Sequence, residues 1–142
     1  MYSRGHAALS LAVGLASLAV VPPGTSPPAV VGLALVLGVG IDVDHFLLAR
    51  LNDGSWRHAV ACLRDPRRVV LDQAAIFERG DLYRDQRLLS HHLVGGVVVA
   101  GLWLLAPALA GVALATLYVH VVADLYSDAR SREAYVEGLA EE

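Results

Sequence analysis

The sequence predicts an all-α polytopic membrane protein of about four short transmembrane helices, arranged as two hairpins with a cytoplasmic helical loop between them. Hydrophobic residues make up 56% of the chain and the mean hydropathy is +0.53, and both exceed what soluble domains usually show. These residues form four apolar runs, and prolines separate the two runs of each hairpin. A chain of 142 residues fits one membrane-embedded domain, 1–142.

Each apolar run predicts one helix. The runs are Ala7 to Val21, Ala29 to Ile41, Leu93 to Ala106 and Ala108 to Val122. The proline-rich stretch 22–28 cannot continue a helix, and Pro107 separates the third run from the fourth. Because helices can lengthen through the polar residues at their ends, we expect spans at about 6–21, 28–48, 92–106 and 108–126.

A soluble helical bundle is the alternative, since the runs are shorter than the roughly 20 apolar residues that usually cross a bilayer. A soluble helix, however, needs a polar stripe to meet water, and these runs have none over several turns. Small residues recur at four-residue spacing, as in Ala8, Ala12 and Ala16, and this spacing suits close helix contact in lipid. The sequence therefore favours the membrane protein.

The distribution of charge predicts the orientation. With four crossings, both termini and the segment 51–89 lie on one side of the membrane. All 11 basic residues are arginines on that side, and every carboxylate lies there too. The positive-inside rule makes this side cytoplasmic. We therefore expect a multi-pass protein of the inner or plasma membrane with cytoplasmic termini.

Histidines and aspartates lie at the cytoplasmic end of every predicted span. Asp42 and His45 are three residues apart, and His120 and Asp124 are four apart, so each pair shares one face of a helix. Ionisable groups in an otherwise apolar run are costly and are functional by default. Zinc, manganese and iron accept imidazole and carboxylate ligands, and such a set can hold two ions. The predicted metal ligands are His6, Asp42, Asp44, His45, His91, His120 and Asp124.

Some of these polar residues have simpler explanations. Polar side chains are expected at any membrane interface, and His58, in the loop beside Trp56, is expected to be solvated or hydrogen-bonded rather than a ligand. Either His91 or His92 could instead hydrogen-bond to a metal-binding residue and fix its orientation. The single cysteine, Cys62, cannot form an internal disulfide.

Four short motifs follow one another along the chain. Gly5-His6 precedes the first span, Asp42-Val43-Asp44-His45 ends the second, the stretch 86–92 opens the third, and His120 and Asp124 end the fourth. In this order, and over most of the chain, they resemble the YdjM-like family of inner-membrane metal-dependent hydrolases. That family is thought to be distantly related to zinc-dependent phospholipases C and nucleases.

The resemblance implies a membrane-bound hydrolase that uses a metal-activated water on an ester or phosphoester at the cytoplasmic face. Zinc is the implied cofactor, with manganese as the alternative, and Asp44, His91 and Arg87 are the implied catalytic residues. Arg87 either binds a substrate phosphate or forms a structural ion pair with Asp85 or another carboxylate. Membrane lipid and a lipid or other small-molecule substrate are the expected partners. No nucleic acid is expected, because the chain has no basic excess.

The third motif departs from the family pattern His-Arg-x-x-Thr-His-Ser. Gln86, a poor metal ligand, stands in place of the first histidine, so a ligand position is open unless His92 fills it. The Thr-Pro-x-Gly after the last motif is absent, and Ile41 replaces a proline. A non-catalytic metal- or haem-binding protein and a structural membrane protein therefore stay open as alternatives.

The segment 51–89 is the only sizeable region outside the predicted spans. Asp65 before Pro66 is typical of a helix start, and a helix is expected from about Pro66 to Arg79. Its arginines and apolar residues suit a helix lying on the cytoplasmic leaflet, and a solvated linker is the equal alternative.

Overall fold

The computed structural model describes residues 3–71, 73–78 and 80–140, and all the regular structure in these ranges is helical. Short 3-10 turns lie at Ile41–Val43 and Gln73–Ala75. The α-helices are α1 (Ser3–Ser17), α2 (Pro27–Gly40), α3 (Asp44–Asp53), α4 (Arg57–Arg64), α5 (Arg67–Leu71), α6 (Arg84–Leu105), α7 (Pro107–Arg130) and α8 (Arg132–Ala140). The predicted all-α class is therefore confirmed for the described residues.

Three helical stretches of the described chain are long and apolar enough to cross a membrane. They are Pro27–Asp53, in which α2, the 3-10 turn and α3 are continuous, together with α6 and α7. The shortest has 22 residues. A helix of that length extends about 33 Å, enough for a hydrocarbon core of about 30 Å. As expected, the helices lengthen through polar residues: α6 begins at Arg84 rather than His92, and α7 ends at Arg130. These helices indicate a membrane protein.

The first helix, α1, is shorter, with 15 residues. It packs along α2 and also contacts α7. Small side chains allow the close approach: a Cβ on Gly14 would lie 3.1 Å from the Cα of Val31, and Gly38 lies directly against Ser10. Since α6 packs along α7, and α7 also contacts α2, the helices form two hairpins with α7 at the centre.

The segment between α3 and α6 does not form the predicted single helix. The helix α5 ends at Leu71 and a 3-10 turn follows at Gln73–Ala75, whereas the predicted end, Arg79, lies outside the described residues, as does Asp72. Tertiary contacts outweigh helix propensity here, because the side-chain oxygen of Gln73 accepts a 2.7 Å hydrogen bond from the backbone N–H of Ser3. The segment thus folds over one end of the bundle.

Candidate metal centre

Five elements bring histidine and aspartate side chains to that end of the bundle. In the continuous helical stretch Pro27–Asp53, the 3-10 turn lies where the first aspartate, Asp42, occurs. In 3-10 geometry, residues three apart lie one above the other. The Oδ1 atom of Asp42 is accordingly 3.6 Å from Nε2 of His45. The contributing residues are His6 of α1, Asp42 of the turn, His45 of α3, His91 of α6, and His120 and Asp124 of α7.

These side chains form two groups with metal-ligand spacing that share Asp42. The first group is His6, Asp42, His120 and Asp124, and the second is Asp42, His45 and His91. Within each group the ligand atoms all lie within 4.8 Å of one another. The Oδ1 atom of Asp42 is 3.3 Å from Nε2 of His91 and 3.4 Å from Nε2 of His120. Asp42 is thus common to both groups and would belong to the ligands of either ion.

Several of these atoms have no hydrogen-bond partner. Among the described residues, six buried side-chain atoms are unpaired, and all belong to this end of the bundle: His6 Nδ1, Asp42 Oδ1, Asp44 Oδ1, His45 Nε2, His91 Nε2 and His120 Nε2. Each unpaired buried polar atom costs about 1–3 kcal/mol. A cluster of such atoms is therefore best explained by a bound ion or water that pairs with them.

The distances between the atoms identify the kind of partner. A tetrahedral ion with bonds of about 2.0–2.2 Å has ligand atoms about 3.3–3.6 Å apart. The three separations between Asp42 Oδ1 and imidazole nitrogens, 3.3, 3.4 and 3.6 Å, fall in this range and are long for hydrogen bonds. The donor set therefore fits a divalent cation.

Hydrogen bonds behind the imidazoles orient their unpaired nitrogens. Nδ1 of His120 lies 2.8 Å from the carbonyl oxygen of Gly38, and because a carbonyl only accepts, Nδ1 carries the proton. In the neutral ring, Nε2 of His120 would then present a lone pair towards Asp42 and Asp124, and a cation between them would be bound by all three. A metal-ligating histidine usually donates its second N–H to such a carbonyl or to a carboxylate.

Asp44 supplies the carboxylate for His91. Its Oδ2 lies 2.8 Å from Nδ1 of His91 and accepts a 2.6 Å hydrogen bond from the Ser90 hydroxyl. Asp44 belongs to neither group, and its Oδ1 is 3.8 Å from Nε2 of His45. Asp44 is thus hydrogen-bonded to His91, where it can orient the imidazole, and its predicted metal ligation and catalytic role stay predictions.

Arg87 lies at the edge of the site and is held by carboxylates. Its Nη2 is 2.6 Å from Asp128, and its Nε is 3.6 Å from Asp124. Of the two roles expected for Arg87, phosphate binding or a structural ion pair, this pairing fits the ion pair. The partner is Asp128 rather than Asp85. Arg87 also borders a cavity of about 290 Å³ that reaches Asp42 and His45 and has an aromatic wall that includes Phe77. Binding of a phosphate there stays a prediction.

The remaining predicted residues of the third motif lie outside the two groups. His92 is exposed, and its Nδ1 bonds the carbonyl of Leu88 in the same helix. Gln86 accepts a 2.7 Å hydrogen bond from the side-chain amide of Asn52. His92 therefore does not fill the open position, and the two groups form without a histidine at position 86.

His58, expected to be solvated or hydrogen-bonded, is 8% exposed and hydrogen-bonded, and it belongs to a third cluster that sequence reasoning missed. Its Nε2 is 2.8 Å from Asp81, and Asp53 completes the group. Arg57 lies 2.8 Å from Asp53 and 3.1 Å from Asp81, so both carboxylates are already paired with an arginine. No spacing in the sequence links Asp81 to the other residues, because only the fold of the segment brings it there.

Comparison with family models, curated proteins and solved structures found no match for this chain. The function is therefore inferred from the geometry of the helix ends together with the motifs of the sequence. That geometry provides a mixed set of imidazole and carboxylate donors, two adjoining groups and a neighbouring cavity with an arginine at its edge. Such a set can bind divalent metal and polarise a bound ester.

Proposed function

We propose that this chain is a membrane-bound metal-dependent hydrolase that acts on an ester or phosphoester at the cytoplasmic face, as its resemblance to the YdjM-like family implies. The observation that carries the proposal is Asp42, whose unpaired Oδ1 faces three unpaired imidazole nitrogens at tetrahedral spacing. Zinc is the proposed cofactor because its preferred ligands and bond lengths match this set, and manganese is the alternative.

A divalent cation, when bound, supplies Lewis acidity that activates water and offsets negative charge developing on the substrate. The chain's own residues prepare the site for it. Asp44 accepts a hydrogen bond from Nδ1 of His91, and the Gly38 carbonyl accepts one from Nδ1 of His120. The Nε2 atom of each ring is therefore left to bind a metal ion. Arg87, held by Asp128, adds positive charge at the cavity, where it would attract an anionic phosphoester.

A catalytic role is favoured over a closed structural site by the number of donors. A structural zinc takes four protein ligands and leaves no position for water, whereas the second group offers three, Asp42, His45 and His91. Haem binding is disfavoured because His6 and His120 stack with their ring centroids 3.7 Å apart. That spacing leaves no room for a porphyrin between the two imidazoles.

Purified protein supplied with zinc or manganese is expected to hydrolyse a generic phosphomonoester or phosphodiester, and a chelator should reduce the rate to background. The Asp42→Asn variant should be equally inactive, because it loses the residue common to both groups. The Asp85→Asn variant, the same exchange at an exposed residue outside both groups, should keep full activity. Turnover that survives Asp42→Asn would come from a contaminant. Stoichiometric metal without chelator-sensitive turnover on a broad ester panel would leave a binding role instead.

The proposed topology has four spans, with α1 as the first and both termini in the cytoplasm. It is supported by the arginine distribution and by the close packing of α1 on α2. Cysteine labelling of intact cells tests it, in a Cys62→Ala background. That background leaves only the introduced thiol to react. Cys62 itself cannot report the side, because burial shields its thiol and raises its pKa, so that it would stay unlabelled on either side.

A membrane-impermeant thiol reagent is expected to label Ser26→Cys from outside and to miss Glu133→Cys until the cells are broken. Both positions are exposed, so the comparison isolates the side of the membrane. Labelling of Glu133→Cys alone in intact cells would invert the topology, and labelling of both would mean an even number of crossings between the two positions.

A further inference from the structure

An apolar groove of about 820 Å³ runs between α6 and α7. Its walls are mostly hydrocarbon, and Trp103, Leu114 and Tyr118 in its lining are each more than half exposed. Both helices belong to stretches long and apolar enough to cross a membrane, so the groove opens towards lipid. Its size lies within the range of about 300–1,000 Å³ that ligand sites usually have.

The groove is polar at one end only, where His91 and His92 contribute to its lining. His91 is also a member of the second metal-ligand group, with Asp42 and His45. From His91 to Trp103 the groove follows α6 for about 18 Å, at about 1.5 Å per residue. One leaflet of the hydrocarbon core is about 15 Å deep. The groove therefore has the length of one lipid tail and ends at the candidate metal centre.

We propose that this groove holds one acyl chain of a lipid substrate, whose ester or phosphate end lies at His91 beside the metal-ligand groups. The inference rests on the proposed hydrolase function and adds the substrate class. A molecule that is apolar along its length and polar at one end matches the groove in both respects. The substrate would enter sideways from the leaflet, with its polar end reaching the site from within the membrane.

A helix from a second copy of the chain is the rival occupant. Gly96 and Ala100 are exposed and four residues apart, a spacing that also suits close helix contact in lipid. The acyl chain is favoured because the groove ends at His91, a member of the second metal-ligand group, and an apolar helix face would have no group to place there.

The test fills the groove without disturbing the bundle. A Cβ at Gly96 would meet nothing within 4 Å, so Gly96→Trp projects into the groove rather than into packed atoms. Gly101→Trp is the matched control, since Gly101 is on the same helix, is equally exposed and open, and lies outside the groove lining. Native mass spectrometry of detergent-purified protein measures retention of oleoyl lysophosphatidate, with a chelator present to prevent turnover.

Lipid retention is expected to fall about tenfold or more in Gly96→Trp, a loss of about 1.4 kcal/mol in binding, and to be unchanged in Gly101→Trp. Equal retention in the native protein and both variants would overturn the inference. A dimer of the native protein that disappears in Gly96→Trp would overturn it in favour of a second copy. Retention that depends on Gly96 without any turnover by native protein would support the groove and contradict the hydrolase.

Discussion

The Asp42→Asn variant is expected to lose nearly all of its bound divalent metal. Asp42 belongs to both metal-ligand groups, and its Oδ1 faces imidazole nitrogens from three helices. Loss of a residue that only orients a ligand already weakens metal binding about 10–100-fold, so removal of this shared carboxylate should weaken it by at least about 100-fold. Elemental analysis and metal titration of detergent-purified protein measure the effect.

Variants that remove a ligand from only one of the two groups show whether each group binds metal. His120→Ala should weaken only the first group and His45→Ala only the second, so each should retain part of the metal. His92→Ala is the matched control, because that histidine is exposed and belongs to neither group. His58→Ala would be a poor control, since His58 lies in a cluster of its own. Unchanged metal in Asp42→Asn, or an equal loss in His92→Ala, would exclude a metal centre here.

Gly38→Ala is expected to destabilise the bundle and to weaken metal binding at the same time. A Cβ at this position would overlap the Ser10 hydroxyl and lie 2.7 Å from the Ser10 Cβ, so α1 must move away from α2. Overpacking of this kind costs about 1–3 kcal/mol. The shift should also disturb the Gly38 carbonyl, which fixes the His120 ring. Thermal unfolding in detergent and metal content are the two measurements.

Gly32→Ala provides the control on the same helix. A Cβ at Gly32 would meet nothing within 4 Å, and alanine is favoured over glycine in a helix by about 0.5–1 kcal/mol. This variant should therefore unfold at the same temperature as the native protein or slightly higher. If Gly38→Ala behaved in the same way, α1 would not pack on α2 as closely as described.

The parts of the site that lie within one helix could be predicted from the sequence. Spacings of three and four residues place Asp42 beside His45 and His120 beside Asp124, and the corresponding distances are both 3.6 Å. Charge distribution assigned all these residues to one end of the bundle, where they indeed lie together. Local periodicity and the placement of these residues at the ends of the apolar runs were sufficient for this much.

Contacts between elements could not be predicted in the same way. The partner of His120 is a main-chain carbonyl of Gly38, and a pattern of side chains carries no information about it. The Asp53, His58 and Asp81 cluster depends on how the segment between α3 and α6 folds back. The expected helix in that segment is broken because contacts with the bundle, such as Gln73 with Ser3, outweigh local propensity.

The contact between His6 and Asp124 joins residues 118 positions apart, from the first helix and the last of the bundle. During synthesis at about 5–20 residues per second, Asp124 leaves the ribosome's catalytic centre roughly 6–24 s after His6. Until α7 is synthesised, the first group lacks both His120 and Asp124. A chain that stops before α7 inserts therefore cannot acquire the full centre, and the centre matures only after the whole bundle has been built.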